Sequence, residues 1–325
     1  MPNEKDIAEK NLESYNDIFA DIANVFLFDG EQVVKETELV DESTEGILKV
    51  DGKLHEEVRD VAKSWIFGNI RLLLLGYENQ TARQAIISFR TAAYDGESYK
   101  SQLIKRADAY RRHKKDKTVE IPSIYPVITL VLYFGLTRWK PLSIKDYIRK
   151  NCPNIREELL EFVNDYKANV IEIAFLPDET VDKFKSDFRY VVDHFVKMRK
   201  KKYEKIPYSP SKAELNHADA VFKFMGAVGK DKRFLEAAEI SRNEGRLRNM
   251  CDVFDEFEAR GVKKGIEKGI EKGIEKGKVE ILVDMVYDGD ISLALGHQRA
   301  SKCGVDAPTF NNLMAKSHPD FHFPS

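Results

Sequence analysis

Three polar side chains interrupt two apolar, strand-like runs. Asp60 opens Asp60-Val61-Ala62-Lys63-Ser64-Trp65, and Glu78-Asn79-Gln80 closes Ile70-Arg71-Leu72-Leu73-Leu74-Leu75-Gly76-Tyr77. Strand side chains alternate faces, so Glu78 and Gln80 share one. If the runs pair as a hairpin through Phe67-Gly68-Asn69, Asp60 comes close to Glu78. Two carboxylates on one strand face can hold a hard divalent cation, magnesium or manganese, against a phosphate. The cation polarises the phosphate and lowers the pKa of an attacking water, and Gln80 can orient that water. Taken alone the pattern is a weak signal, because carboxylates at strand ends are more often solvated surface groups.

The elements around these residues must supply the frame. Residues 14 to 28 read as a helix, with Ile18, Ile22, Val25 and Phe26 on one stripe and Asp17, Asp21 and Asn24 on another. Residues 46 to 50 read as a short strand closed by Asp51-Gly52, a strong turn signal. Residues 89 to 93 read as another strand, ended by Tyr94-Asp95-Gly96, and residues 97 to 113 as a helix. Residues 125 to 135 are apolar on both faces and β-branched, which predicts a central strand. Residues 170 to 175 predict a further strand, and residues 180 to 200 a long amphipathic helix. Pro207, Ser209 and Pro210 mark a boundary, beyond which strand signals disappear. Helix, three strands, helix, strand gives an α/β core with a mixed sheet flanked by helices, followed by an all-helical C-terminal region.

Bulk properties narrow the function classes. The chain has 325 residues, 33% of them charged, and a formal net charge of -2. A generic polyanion binder is excluded, so any nucleic-acid contact must come from local patches. Cys152, Cys251 and Cys303 are far apart and suggest neither a disulfide framework nor a zinc site. The polar N-terminus lacks a signal-peptide core. No apolar run approaches the ~20 residues that span a bilayer. The cytoplasm is therefore the expected location, with no membrane partner.

Near the C-terminus Gly261-Val262-Lys263-Lys264 is followed by three copies of Gly-Ile-Glu-Lys and a closing Gly277. On a helix the glycines form a slowly drifting stripe beside Val262, Ile266, Ile270 and Ile274. Each glycine costs ~1 kcal/mol relative to alanine. The repeat reads either as a solvated spacer or as a helix that packs closely on a partner in a homo-oligomer. Beyond it, residues 291 to 303 and 306 to 316 outline a helix-turn-helix, with Asp306 as N-cap. A packing hairpin is at least as good a reading as a DNA reader. The segment His318-Pro319-Asp320-Phe321-His322 reads as a loose tail.

Longer stretches carry a family resemblance. They are Phe19-Ala20-Asp21-Ile22-Ala23-Asn24, Asp29-Gly30, Arg59-Asp60-Val61, Tyr77-Glu78-Asn79-Gln80-Thr81, Tyr94-Asp95-Gly96-Glu97-Ser98-Tyr99-Lys100-Ser101-Gln102-Leu103, Pro126-Val127-Ile128-Thr129-Leu130-Val131-Leu132-Tyr133-Phe134-Gly135, Asn164-Asp165-Tyr166-Lys167 and Phe184-Lys185-Ser186-Asp187-Phe188-Arg189. With them the chain resembles the recombination-promoting nuclease/putative transposase family (YhgA-like), within the PD-(D/E)XK superfamily. The resemblance covers residues 14 to 205 and continues more loosely through the repeat and hairpin. It implies a restriction-endonuclease-like core and metal-dependent DNA endonuclease activity linked to recombination and mobile elements.

Carried over by position, Asp60 and Glu78 would ligate Mg2+ or Mn2+. Gln80 stands where the superfamily usually has lysine, so positive charge is missing and slow or conditional cleavage is expected. A first-helix carboxylate, Asp17 or Asp21, would add acidity behind the ligands. Lys105, Arg106, Arg111, Arg112, Lys114, Lys115 and Lys117, with Tyr110, could contact DNA phosphates; an ordinary solvated helix end explains them equally well. Tyr99 and Gln102 either face the site or make a helix–sheet contact, the latter slightly preferred. The implied domains are a nuclease-like domain (1–205), a helical extension (206–260), the repeat (261–280), the hairpin (281–316) and a tail (317–325). The rival reading is a non-catalytic DNA-binding or assembly protein on the same scaffold.

Overall fold

Helix α1 (Asn16–Phe28) starts the core of the N-terminal part of the chain. Ile18, Ile22 and Val25 recur at helical spacing and are buried, with Phe19 and Ala23 beside them. Asp29 and Gly30 end the helix with positive φ, 54° and 93°, and the chain turns back. Buried Asn24 holds the returning segment. Its Oδ1 accepts from the Val33 and Val34 N–H groups at 3.0 and 2.7 Å, and its Nδ2 donates to the Val34 carbonyl at 2.9 Å.

The computed structural model describes residues 11–42, 49–50, 53–54, 60–65, 70–77, 86–113 and 121–323; positions 49–50, 53–54, 60 and 70–77 are described by backbone alone. The chain divides into two compact units, Met1–Val253 and Phe254–Ser325. The architecture is mixed α/β, with helices predominating. Among the described residues no helix is long and apolar enough to cross a membrane.

The first unit holds a five-stranded sheet. Its members are β1 (Leu39–Glu42), β4 (Asp60–Trp65), β5 (Ile70–Tyr77), β6 (Val127–Tyr133) and β7 (Asn169–Glu172), lying in that order. Strands β2 (Lys49–Val50) and β3 (Lys53–Leu54) make a separate antiparallel pair. β4 runs antiparallel to both β1 and β5, whereas β5–β6 and β6–β7 are parallel. A parallel neighbour requires a long crossover. Helix α2 (Ile87–His113) makes the one between β5 and β6, and helix α3 (Ile144–Asn151) lies on the one between β6 and β7.

The sheet departs from the sequence reading in four places. Residues 89 to 93 are not a strand; they belong to α2, which runs unbroken through Tyr94-Asp95-Gly96. The buried positions Ile87, Thr91, Tyr94, Asp95 and Ser98 are spaced as one helical face. The outer strand β1 falls where the sequence reading places no strand. Residues 49 and 50 pair with β3 and not with the main sheet. β6 lies inside the sheet with parallel neighbours on both sides, as its two-sided apolar character predicts, but the middle position belongs to β5.

Past β7 the chain makes single helical turns at Ile173–Phe175 and Asp178–Val181 before helix α4 (Phe188–Arg199). The predicted strand therefore stops at Glu172, and the predicted helix from residue 180 starts only at Phe188. Helices α5 (Ala218–Gly229) and α6 (Lys232–Glu244) complete the packing. Phe134, just past β6, meets Phe188 and Phe195 of α4 and Phe224 of α5, with ring centroids 5.0 to 6.4 Å apart. Each fully buried ring contributes about 2 kcal/mol from lost water contact alone.

In the second unit, helix α7 (Met250–Tyr287), which begins in the first, leads to α8 (Leu293–Ser301) and α9 (Ala307–Ser317). Asp306 caps α9 by accepting from the Thr309 N–H at 2.9 Å. Val279, Val283, Val286, Ala300, Phe310 and Met314 form the unit's core. The predicted loose tail is docked. Tyr287 stacks on His318 at 3.9 Å, His318 Nε2 lies 2.8 Å from Asp284, and Phe321 packs on the core.

Helices α5 and α6 approach each other at Gly226. A Cβ there would lie 2.7 Å from two Leu235 side-chain carbons and 2.8 Å from the Leu235 backbone nitrogen. Gly226→Ala should therefore destabilise the protein by about 1–3 kcal/mol in urea unfolding, although alanine favours a helix by ~1 kcal/mol. An unchanged or raised midpoint would show that the two helices separate freely.

Candidate active site

The β4–β5 pair places the backbone that carries the first candidate ligand. Asp60 sits opposite Leu75, and the register continues through Ala62–Leu73 to Trp65–Ile70. β5 is described as far as Tyr77; Glu78 and Gln80 follow it and lie outside the described residues, as do Lys114, Lys115 and Lys117. Ala62 packs with Ile87 and Tyr94 of α2 and with Val127, Val131 and Tyr133 of β6, so its phase of β4 belongs to the face of the sheet under α2.

The first-helix acids have partners of their own. α1 lies over the opposite phase: Phe19 sits 5.6 Å from the Lys63 ammonium, and Phe28 meets Trp65 edge-on at 5.9 Å. Asp17 bonds His217 Nε2 at 3.1 Å, and that imidazole stacks on Tyr15 at 3.9 Å. Asp21 is buried and accepts from the Lys185 and Ser186 N–H groups at 2.8 and 2.7 Å. Burial raises its carboxyl pKa, with those bonds pulling the other way. Asp187 accepts the His217 N–H at 2.6 Å, and burial raises its pKa as well. Asp17, Asp21 and Asp187 thus tie α1, the loop before α4 and the start of α5 together. Asp17 and Asp21 also line a cavity of about 450 Å³ with Lys185, Ser186 and Asn216.

Tyr99 and Gln102 clamp the start of β6. Gln102 accepts the Tyr125 N–H at 2.7 Å and donates to its carbonyl at 3.2 Å. The Tyr99 hydroxyl accepts the Val127 N–H at 3.1 Å. This is the helix–sheet contact, and it leaves both side chains committed. Lys105, Arg106, Arg111 and Arg112 are all exposed along the last turns of α2, with Tyr110 among them. Lys105 reaches Glu42 at 3.8 Å and Arg111 reaches Asp108 at 3.4 Å. At such exposure these pairs are weak and leave a basic helix end open to solvent.

Asp95 and Lys63 are among the buried ionisable groups that the sequence does not announce. Asp95 was placed in a turn, yet it is buried in α2 and accepts a 2.5 Å bond from the Thr129 hydroxyl on β6. Thr129 pairs with Leu73, and Leu73 with Ala62. Asp95 therefore lies over the row of residues next to the one that holds Asp60. Burial pushes its carboxyl up to about 6, against the Thr129 bond. Lys63 is fully buried and pairs with its cross-strand neighbour Asp41. The spacing of Ile87, Thr91, Asp95 and Ser98 carried the signal for Asp95. Nothing local marked Lys63, because β1 was not recognised.

Among the described residues no group of three or more histidine, cysteine or acidic side chains could hold a metal ion. Comparison with known proteins gives no match: no family model matches the chain, and neither does any curated protein or solved structure.

The raised Asp95 pKa has a definite sign. Between the ordinary carboxylate value and about 6 the folded state holds a proton that the unfolded state has released. Ionisation thus lowers stability progressively as pH rises through that window, and the cost is complete above it. Asp95→Asn should be more stable than the parent by about 3 kcal/mol near pH 8, most of the gain being lost near pH 4. Urea unfolding at both pH values tests this, and a pH-independent difference would refute it.

The Lys63 ammonium has a high desolvation cost and one well-exposed partner. Lys63→Met keeps the methylene packing, so its stability should stay within ~1 kcal/mol of the parent, whereas Lys63→Ala should lose about 2 kcal/mol or more. Equal losses in both variants would show that the ion pair, and not packing, holds this position.

Proposed function

We propose that this chain is a metal-dependent DNA endonuclease of the PD-(D/E)XK type, acting in the cytoplasm on recombination or mobile-element DNA. The observation that carries the reading is the order of elements: helix, antiparallel strands, crossover helix, parallel strand, with Asp60 opening β4 and the run that leads to Glu78 forming its antiparallel neighbour β5. The resemblance to the recombination-promoting nuclease family asks for that order and for an acid on each of two adjacent strands.

Asp60 and Glu78 would hold Mg2+ or Mn2+. Both donors are carboxylates, the oxygen ligands that such hard cations prefer. When bound, the cation supplies charge against the phosphate and a lowered pKa for water. Gln80 would hold that water by its amide without adding positive charge. The exposed basic end of α2 would contact phosphates without reading sequence, so affinity would fall steeply with salt.

A supercoiled-plasmid nicking assay tests the reading. We expect slow cleavage with Mg2+ or Mn2+, none with EDTA, and a loss of ~100-fold or more in Asp60→Ala and Glu78→Ala. Equal cleavage by parent and variants would identify a contaminating nuclease and overturn it. The second reading, a DNA-binding or assembly protein without catalysis, is favoured by Gln80 in the lysine position and by the net charge of -2. It requires DNA binding that survives loss of both carboxylates, with no metal uptake in calorimetry.

A further inference from the structure

The repeat helix leaves an apolar stripe in solvent. Every residue of α7 from Gly261 to Lys276 is exposed. Val262, Ile266, Ile270 and Ile274 are each more than half exposed, and Ile281 continues the row at 61%. The hairpin of α8 and α9 covers the other side of the helix, through Val279 and Val283. At about 100° per residue, Ile281 lies roughly 160–200° from those two valines.

Among the described residues nothing accounts for the glycines. A Cβ at Gly261, Gly265, Gly269, Gly273 or Gly277 would meet nothing within 4 Å. Alanine would fit at each and favour the helix. A second helix backbone approaching closely is what would exclude a Cβ there.

The charges indicate which helix. Around α7 each unit presents glycine, isoleucine, glutamate and lysine in about 100° steps. The apolar half is therefore flanked by lysine beside glycine and by glutamate beside isoleucine. In a parallel two-fold pair the unlike flanks of the two copies meet, so lysine faces glutamate on both sides. An antiparallel pair brings like flanks together. Lys263 replaces glutamate in the first unit and weakens this match at one end only. The period of four exceeds 3.6, so the stripe turns about 40° per unit and the pair winds right-handed.

We propose that α7 pairs in parallel, in register, with α7 of a second copy of this chain, the isoleucines of each seated against the glycines of the other. This does not depend on the nuclease reading. Sedimentation velocity of the full chain should show a reversible dimer. Ile266→Ser with Ile270→Ser should raise the dissociation constant by at least ~100-fold. Gly265→Ala, Gly269→Ala and Gly273→Ala together should raise helix content by circular dichroism yet weaken the dimer. With Cys152, Cys251 and Cys303 replaced by serine, Val262→Cys chains should cross-link to each other on oxidation. A monomeric parent overturns the proposal, and so does a glycine-to-alanine variant that pairs as tightly as the parent. Preferential cross-linking of Val262→Cys to Ile274→Cys chains overturns the parallel arrangement.

Discussion

The change of strand direction at β5 governs the first unit. β5 runs antiparallel to β4 and parallel to β6. The antiparallel side can be closed by a short turn, but the parallel side cannot, so the chain must climb back over the sheet before entering β6. α2 makes that climb with 27 residues. Its buried face then has to match the sheet it crosses. Ile87 and Tyr94 pack on Ala62 and Val131, Asp95 takes the Thr129 hydroxyl, and Tyr99 and Gln102 take the backbone at the start of β6. These contacts set the height at which β6 enters and thereby the rows in which Asp60, Leu75 and Val131 align.

The same constraint separates two kinds of acid. Those on α1 lie over the sheet face away from α2 and are occupied by backbone N–H groups and by His217. Their work is to join α1 to the loop before α4. On the face under α2, Asp95 is the buried carboxylate among the described residues whose value rises to about 6. It costs stability where it ionises, because burial outweighs the Thr129 bond.

What could be read in the sequence follows from range. β6 was legible because its apolar character on both faces is local, and α9 because Asp306 and Pro308 mark its start within four residues. The beginning of α2 was not. Gly96 inside Tyr94-Asp95-Gly96 imitates a turn, and only packing against β6 makes helix the better state for that segment. β1 was missed because its polar text shows no alternation; Asp41 and Glu42 are chosen to meet Lys63 and Ser64 across the sheet. Of the candidate site, the place of Asp60 on a strand paired with the Glu78-bearing run was legible. The partners of Asp17 and Asp21 were not, because they depend on what packs against α1.

The repeat in α7 shows the opposite relation between propensity and structure. Here local preference argues against a helix and no packing among the described residues offsets it, since residues 261 to 276 are exposed. Isolated helices of that length are marginal even when rich in alanine, and each glycine weakens this one further. The ends are held, at Val253 on one side and at Val279 and Val283 on the other. The middle must either fray or find another surface. A sequence that repeats glycine and isoleucine at a four-residue interval, with one acid and one base per unit, is poorly suited to fraying and well suited to meeting its own copy. Stability of this segment should then depend on protein concentration, which makes helix content and self-association two views of one equilibrium.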